Sequence, residues 1–398
     1  MNPSASGWIN KHFPVSIDFA KEHISEENFY GQLRETGFLY ANSVTTFTYK
    51  NRQVELDWTT EELTKINLFD SLVYIYTKEK TDASKEDCIN TIIDFYKKLE
   101  KQNKSFFKIS FFKNSAEEKL EKILHHRIQT NKSVFQKNFS NIITNALLFI
   151  DVLAFQHFLS TSKNPFSYSQ ELEGLLTNTI YLAFQEKGIQ SKYEKLILKL
   201  LQNSLRYTAI DQQYLDFEEL NFSVLQHQFE KNYLLDLSCI SVYSDEELEK
   251  NEFLFLKKLN KELLFPNDKL LVSIKYMVAF LKKHKGEISY FSYSNAVKHF
   301  YNNTNRMVSV LILRNKKRLL QELNESRELV ILLHKSSKTD LNETEKQKVK
   351  NQLLDICKSV PSLAIFILPG GSVLLPILIK FIPQLLPSAF NENRIEKP

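Results

Sequence analysis

The sequence predicts an all-α protein built from multi-helix bundles, with room for a small N-terminal β-hairpin and with a C-terminal proline-rich apolar helical segment. Only 8 glycines and 10 prolines occur among 398 residues, whereas leucine, lysine, glutamate and glutamine are plentiful. Scarce helix breakers favour long helices joined by short turns. The prolines are also placed unevenly, since six lie in the last 38 residues: Pro361, Pro369, Pro376, Pro383, Pro387 and Pro398.

One stretch near the N-terminus alternates between apolar and polar residues. Residues 45–58, TTFTYKNRQVELDW, alternate on both sides of Lys50, Asn51 and Arg52. Alternation around a polar turn is typical of two short antiparallel strands. A small hairpin is therefore expected before the first helices of the bundle.

Helix starts recur from Thr60 onward as a Ser or Asn that is followed three residues later by an acid. In this capping pattern the two side chains satisfy free backbone N–H groups of the first turn. Apolar residues then recur at helical spacing, as in residues 195–205 and 269–283, and core packing explains them without a ligand. The capping pairs are Ser115 with Glu118, Ser244 with Glu247, and Asn342 with Glu345.

Composition divides the chain into four segments, since 398 residues exceed the usual size of one domain. Residues 1–58 form an N-terminal segment with the hairpin, residues 59–230 a helical domain, and residues 231–292 a helical subdomain. Residues 293–398 contain a basic helix and a membrane-associated segment at 360–387.

Within the third segment, residues 234–259 resemble tellurite-resistance-B-like helical domains, in which an acidic turn follows an apolar helix. The turn contains Asp245, Glu246 and Glu247, whose carboxylates have the chemistry of a cation site. A solvated helix cap is the commoner role of such a turn. We therefore expect no metal site there.

Motifs of enzymes and of secreted proteins are missing from the sequence. No GxGxxG, GxxxxGK[ST] or GxSxG pattern occurs, and Cys88, Cys239 and Cys357 form no CxxC pair. The N-terminus lacks the apolar core of a secretory signal. We therefore expect a non-catalytic protein without a cofactor, a metal or a small-molecule substrate, with residues 1–340 in the cytoplasm.

Glu121, His125 and His126 are spaced to lie on one helix and could act as metal ligands. The complementary ExxH helices of a di-iron bundle are missing. A surface or capping histidine pair is therefore the expected role.

A basic region precedes the apolar C-terminal segment. Between residues 306 and 338 there are eight Lys or Arg and three Glu, a net charge of +5 that equals the formal charge of the whole chain. Anionic lipid headgroups would attract such a region, and a solvated helix face is the alternative. The predicted basic patch consists of Arg306, Arg314, Lys316, Lys317, Arg318 and Arg327.

Residues 359–379, SVPSLAIFILPGGSVLLPILI, are 21 consecutive uncharged residues between Lys358 and Lys380. As one straight helix they would extend roughly 31 Å, close to the hydrocarbon thickness of a bilayer. A Pro-Gly-Gly sequence at 369–371 interrupts the run, because proline removes a backbone donor and glycine loosens the helix. Two membrane geometries follow, a single kinked span or a re-entrant hairpin of two short arms.

The prolines at 369, 376 and 383 are seven residues apart, so on a continuous helix they would share one face. The alternative to a membrane segment is a buried apolar hairpin that closes the soluble bundle. The residues assigned to the membrane segment are Pro361, Pro369, Gly370, Gly371, Ser372, Pro376, Lys380, Pro383 and Pro387.

Residues 355–390 resemble the transmembrane segment and flanks of the Letm family, known in mitochondria as leucine-zipper/EF-hand-containing transmembrane proteins. Residues 341–353 resemble the basic-acidic helix that precedes this segment. The Pro-Gly-Gly variant and the NPSASGW start are similar to a bacterial branch described as Letm-related and biofilm-associated. The matching positions are Asp355, Pro361, Pro369, Leu374, Leu375, Pro376, Lys380, Pro383, Leu386, Pro387, Ser388 and Phe390.

The resemblance implies a membrane location, cation/proton exchange, and a ribosome-binding domain that follows the membrane segment. This sequence departs from the family at Ser372, where the family has a glutamate, and no Asp, Glu or His occurs between Ser359 and Gln384. A serine does not exchange a proton near neutral pH as a carboxylate does. Eight residues follow Phe390, and no EF-hand loop is present in the sequence.

We therefore expect an accessory or interaction protein of the envelope, linked to biofilm processes, at the cytoplasmic face of a bacterial inner membrane. Its partners would be membrane lipid and either other proteins or further copies of itself, and a cytoplasmic location is the alternative. Two other functions remain open. One is cation/proton exchange by an oligomer lined by Ser362, Ser372 and Gln384, and the other is ribosome or RNA binding by the basic helix.

Overall fold

A computed structural model describes residues 1–22, 25–40, 43–49, 58–80, 84–99, 115–128, 147–161, 164–185, 216–243, 248–284, 316–336 and 341–359. All regular secondary structure in these ranges is helical, which confirms the all-α prediction. The chain forms two compact units, Met1–Asn131 with Phe139–Tyr293, and Lys132–Asn138 with Ser294–Pro398. The predicted boundaries at residues 58, 230 and 292 stay predictions.

The helices are numbered here along the described residues. Short 3-10 turns lie at Phe38–Tyr40, Phe217–Glu219 and Phe222–Val224. The first unit contains α1 Trp8–Lys21, α2 Glu26–Thr36, α3 Thr60–Glu79, α4 Lys85–Leu99, α5 Ala116–Ile128, α6 Phe149–Thr161, α7 Pro165–Gln185, α8 Gln228–Val242, α9 Lys250–Glu262 and α10 Asn267–His284. The second contains α11 Lys316–Glu325, α12 Arg327–Ser336 and α13 Glu343–Ser359.

Three helices, α3, α6 and α8, form the centre of the first unit. Every residue of α3 from 62 to 76 is buried, and so is every residue of α6 from 149 to 158. A helix that is buried on all sides cannot be amphipathic, which is why these central helices lack a polar stripe. Of the apolar stretches predicted to be helical, residues 269–283 lie within α10, and residues 195–205 lie outside the described residues.

The predicted hairpin is wrong over the residues that can be compared, because 45–49 form no strand. Their polar groups bond to α3 instead of to a second strand. The Asn67 amide donates to the Thr45 carbonyl oxygen (2.9 Å), and the Thr48 hydroxyl donates to Asp70 (2.8 Å). Phe47 is buried in the core. Residues 50–57, which would complete the hairpin, lie outside the described residues.

Two of the predicted helix caps are confirmed. The Glu118 amide donates to the Ser115 hydroxyl over 3.2 Å, and the Glu345 amide donates to the Asn342 side chain over 2.9 Å. The pair predicted at Ser244 lies outside the described residues.

Helix α1 is capped by a residue far along the chain. It starts after Gly7, whose φ of 82° is left-handed and which has no side chain to accept a hydrogen bond. Glu121 of α5 supplies both acceptors, since its carboxylate binds the backbone N–H of Gly7 (3.0 Å) and of Ile9 (2.9 Å). A negative charge is also favoured at a helix N-terminus. Glu121 therefore attaches α5 to the start of α1.

We expect Glu121→Gln to lower the free energy of unfolding by about 1–2 kcal/mol, because an amide has only one oxygen acceptor for two N–H donors. Urea unfolding followed by circular dichroism would measure the change. Lys122→Gln, at an exposed position of the same helix, is the control, with an expected change within about 0.5 kcal/mol. Equal effects of the two substitutions would contradict the capping role.

Candidate functional site

The second unit brings α11, α12 and α13 together around leucine-rich faces. Such burial of an apolar stripe is what holds short helices in place. The polar side of α13 faces solvent, with Lys346, Lys350 and Asn351 exposed. The buried side chains of this unit are Leu319, Leu323, Leu329, Val330, Leu332, Leu333, Leu341, Val349, Leu353 and Ile356.

Two ion pairs link α12 to α13 at the surface of this unit. Lys348 lies 2.7 Å from Glu328, and Lys335 lies 2.6 Å from Glu345. The hydrogen bond from each lysine lowers the pKa of its glutamate partner below the ordinary value. Solvent-exposed pairs stabilise little, so the alignment of α12 and α13 depends mainly on the apolar contacts between them.

The predicted basic patch is only partly within the described residues. Lys316, Lys317 and Arg318 lie in the first turn of α11, and Arg327 is the first residue of α12. Only their backbone is described, and both remaining residues of the patch, Arg306 and Arg314, lie outside the described residues. The contact of this patch with lipid stays a prediction.

The predicted membrane segment, residues 360–387, begins directly after α13 and lies outside the described residues. Among the helices that the structure does describe, none has both the length and the apolar character needed to cross a bilayer.

The three candidate ligands on α5 have separate surroundings. Glu121 caps α1, His125 Nδ1 lies 3.4 Å from the buried Lys65 ammonium, and His126 is exposed. Burial lowers the pKa of Lys65 from its ordinary value. Over the described ranges no cluster of three or more His, Cys, Asp or Glu is arranged for a metal ion, and residues 245–247 lie outside those ranges.

Each central helix of the first unit carries one buried aspartate. These are Asp70 in α3, Asp151 in α6 and Asp236 in α8. A carboxylate without a partner in the interior is strongly unfavourable. Each aspartate meets a nitrogen-bearing side chain from a peripheral helix: His12 of α1 at 2.6 Å from Asp70, Arg127 of α5 at 2.8 Å from Asp151, and Arg34 of α2 at 2.7 Å from Asp236.

The pair at Asp236 joins three helices. Arg34 donates to both carboxylate oxygens, from Nε over 2.7 Å and from Nη2 over 3.0 Å. The same Nη2 also donates to the Ser273 hydroxyl of α10 over 3.0 Å. The Tyr30 hydroxyl donates to the same carboxylate over 2.9 Å. Burial raises the pKa of Tyr30 and of the neighbouring Cys239 thiol well above their ordinary values, and the negative charge of Asp236 adds to both shifts. Through these hydrogen bonds the group cross-links α2, α8 and α10.

Sequence reasoning missed all three aspartate pairs. A signal existed, because each aspartate stands alone in an apolar stretch: LFDSLVY, FIDVLAF and LLDLSCI. An isolated acid in a helix that is otherwise apolar indicates a buried partner. Which of the 52 Lys and Arg residues or 9 His residues supplies the partner was not readable from spacing.

Glu230 of α8 is a further buried acid. It accepts hydrogen bonds from the Tyr168 hydroxyl and from the His227 backbone N–H, the latter over 2.7 Å. His157 stacks on the Tyr168 ring at 4.1 Å between centroids. Burial raises the pKa of the Glu230 carboxyl above its ordinary value of 4.5, although the hydrogen bonds act in the opposite direction.

This raised pKa predicts a pH dependence of stability. Below pH 4.5, the ordinary glutamate value, Glu230 is protonated in the folded and unfolded states alike, and the folded state has its full stability. As the pH rises toward the folded pKa, the unfolded chain ionises first, so stability decreases. We expect Glu230→Gln to gain stability relative to the wild type as the pH rises above 4.5. Urea unfolding at several pH values would measure the difference, and a constant or falling difference would contradict the prediction.

Comparison with known proteins bears on the C-terminal part of the chain. Residues 341–397 match the family described as LETM1-like, RBD. The match includes the whole of α13 and every residue assigned above to the membrane segment. Searches of curated proteins and of solved structures give no match. This match supports the resemblance to the Letm-like family that the sequence predicts over residues 341–390, and it does not bear on the biofilm-associated branch.

Proposed function

We propose that the protein is a non-enzymatic, membrane-associated Letm-like protein, in which residues 360–387 insert into lipid and the helical body contacts other proteins. The observation that carries the proposal is the family match over residues 341–397, which contains the uncharged run at 359–379. A run of 21 uncharged, mostly apolar residues has lipid as its favoured solvent.

The described helices lead directly into the uncharged run. Helix α13 is described as far as Ser359, the first residue of that run. Upstream of this point α13 is an ordinary surface helix, with Val349, Leu353 and Ile356 packed inward and a polar outer side. A half-buried helix that is followed in the sequence by an uncharged run is the arrangement expected of a helical body joined to a membrane segment.

The basic residues between 306 and 338 support the cytoplasmic face of an inner membrane as the location. Positive charge near a membrane segment is retained on the cytoplasmic side and is attracted by anionic lipid. Within this proposal the body binds protein partners of the envelope or further copies of the chain. Assignment to the biofilm-associated branch stays a prediction.

Carbonate extraction of membranes tests the insertion. The full chain should stay in the pellet, and a chain ending at Ser359, which keeps all described helices, should be released. Two charges placed in the run, Leu374→Lys with Leu378→Lys, should also release the protein, because each costs about 2.5–3.5 kcal/mol at the bilayer centre. Asn351→Lys on the exposed side of α13 is the matched control and should behave as the full chain does. Release of the unmodified full chain without detergent would overturn the proposal.

Ribosome or RNA binding is a second candidate, favoured by the RBD description of the matched family. Three lysines lie on the exposed side of α13, but Lys348 pairs with Glu328 and Lys346 pairs with Glu343. This leaves Lys350 as the best placed phosphate contact. Co-sedimentation with ribosomes should then weaken between about 50 and about 200 mM salt, and more so in Lys350→Glu. Absent or salt-insensitive co-sedimentation would exclude this candidate.

A further inference from the structure

The hairpin formed by α9 and α10 exposes several large apolar side chains. Leu264, in the turn between the two helices, is 84% exposed, and Leu271 in α10 is 59% exposed. Leu254, Val272 and Tyr276 are exposed on the same hairpin. One exposed leucine is ordinary, but a group of apolar side chains on one supersecondary element marks an interaction surface.

The backbone at Leu264 makes its identity informative. Helix α9 ends in a Schellman motif, in which the Phe265 amide donates to the Asn260 carbonyl (3.1 Å) and the Leu264 amide donates to the Lys261 carbonyl (3.0 Å). The Asn260 side chain also donates to the Pro266 carbonyl over 3.1 Å, which holds the turn. Leu264 has a φ of 59°, the left-handed conformation that this motif usually gives to glycine. A side chain is unfavourable there.

Folding therefore does not explain a leucine at position 264. Its conformation is unfavourable for any residue with a Cβ, and at 84% exposure its side chain contributes little packing energy in return. An exposed residue that lowers the stability of the fold is instead explained by a contact with another molecule.

Lysines are frequent on the same hairpin. Residues 248–284 contain eight lysines against four acids. Two of the acids, Glu249 and Glu252, form the capping box at the start of α9, which leaves Glu262 and Asp268. On α10, Lys275 and Lys282 lie on the same side of the helix as Leu271, because they follow it by 4 and 11 residues.

Some of these lysines already have partners. Lys258 pairs with Glu218 (2.7 Å), and Lys269 lies 3.9 Å from Glu27. Within the described part of the chain, Lys257, Lys261, Lys275, Lys282 and Lys283 form no ion pair. The surface thus combines exposed leucines with unpaired positive charge.

We propose that the α9–α10 hairpin is a peripheral lipid-binding surface, whose turn inserts Leu264 between the headgroups of a membrane rich in anionic lipid. Leu271 and Val272 follow it into the interfacial zone, while the unpaired lysines bind phosphate and carboxylate groups of the lipids. Apolar side chains that penetrate a few ångströms and lysines that remain at headgroup level are the two components of interfacial binding. This contact is separate from the proposed insertion of residues 360–387.

Charge decides between lipid and a second copy of the chain as the occupant. A symmetric dimer through this surface would place the lysines of one copy opposite those of the other, and like charges across an interface are unfavourable. An anionic membrane surface is complementary in charge to the same lysines.

A fluorescent label at position 264 tests the proposal in the full chain. Leu264→Cys in a Cys357→Ser background is labelled with an environment-sensitive dye, since Cys88 and Cys239 are buried. Vesicles of phosphatidylcholine with about 30% phosphatidylserine should shift the emission to the blue, and salt should reverse part of the shift. Neutral vesicles should have a smaller effect, and a label at the exposed Lys11→Cys position should not respond.

The proposal would be overturned if the emission of the label at 264 did not shift with anionic vesicles. It would also be overturned if the emission shifted with protein concentration in the absence of vesicles.

The tail variant Leu374→Lys with Leu378→Lys separates this contact from the tail. The label at 264 should still respond to anionic vesicles in that background, whether or not the tail inserts in the unmodified chain. In the unlabelled tail variant, a further Leu264→Gly substitution should weaken vesicle binding about tenfold, as expected for one leucine side chain removed from lipid. The same substitution should raise the urea midpoint of unfolding, because glycine suits a left-handed residue. A lowered midpoint, or unchanged binding, would count against the proposal.

Discussion

Replacing Asp236 by alanine should lower the free energy of unfolding of the first compact unit by about 3–5 kcal/mol, among the largest effects of any single substitution. The change leaves the Arg34 guanidinium buried without its counter-charge, and the Tyr30 hydroxyl loses its acceptor. Desolvation of an unpaired charge accounts for most of the loss. Urea unfolding followed by circular dichroism is the measurement.

A double variant tests whether the loss comes from the stranded charge. Arg34→Met with Asp236→Leu removes both charges and keeps apolar volume, so it should be destabilised by less than Asp236→Ala alone. The double-mutant cycle should show a coupling between the two positions of at least about 1 kcal/mol. Simple additivity of the two single changes would contradict the pairing.

Replacing Phe29 by alanine should also cost about 3–5 kcal/mol, because it opens a cavity between α2, α3 and α8. Phe29 is fully buried, at 0% exposure. Its ring stacks on Tyr74 at 3.6 Å between centroids and lies edge-on to Phe47 at 5.5 Å, with Phe229 at 6.1 Å. Loss of these contacts adds to the lost transfer energy of the ring.

The same substitution at an exposed position is the control. Phe253 of α9 is 38% exposed, so Phe253→Ala should change the free energy of unfolding by about 0.5 kcal/mol or less. Thermal unfolding of the two variants in parallel would check the contrast. Similar losses at both positions would mean that the core does not centre on the aromatic group around Phe29.

Local rules predicted the parts of the fold that depend on neighbours in sequence. The caps at Ser115 and Asn342 and the helix over 269–283 were readable, because a capping box and a helical face involve residues three or four apart. The prediction of a hairpin at 45–58 was wrong over residues 45–49 because their contacts are with residues distant in sequence. Its first residues alternate as a strand would, but their hydrogen bonds go to α3, which is distant in sequence.

The candidate sites show the same division. Glu121 has the spacing of a metal ligand on a helix, yet its two oxygens cap α1. Nothing near Glu121 in the sequence indicates that role, because the donors are 112 and 114 residues away. Nothing in the sequence distinguishes Leu264 from a core leucine. Only its φ of 59° and its exposure do so.

By itself the sequence determined the helical class, several helix starts, the uncharged run at 359–379 and the Letm-like character of residues 341–397, because spacing, composition and motif are local properties. The tertiary structure alone decided which buried charges meet and which apolar residues stay in solvent. Asp236 and Arg34 are 202 residues apart, and their contact exists only because burial on a packed helix forces each charge to find a counter-charge in space.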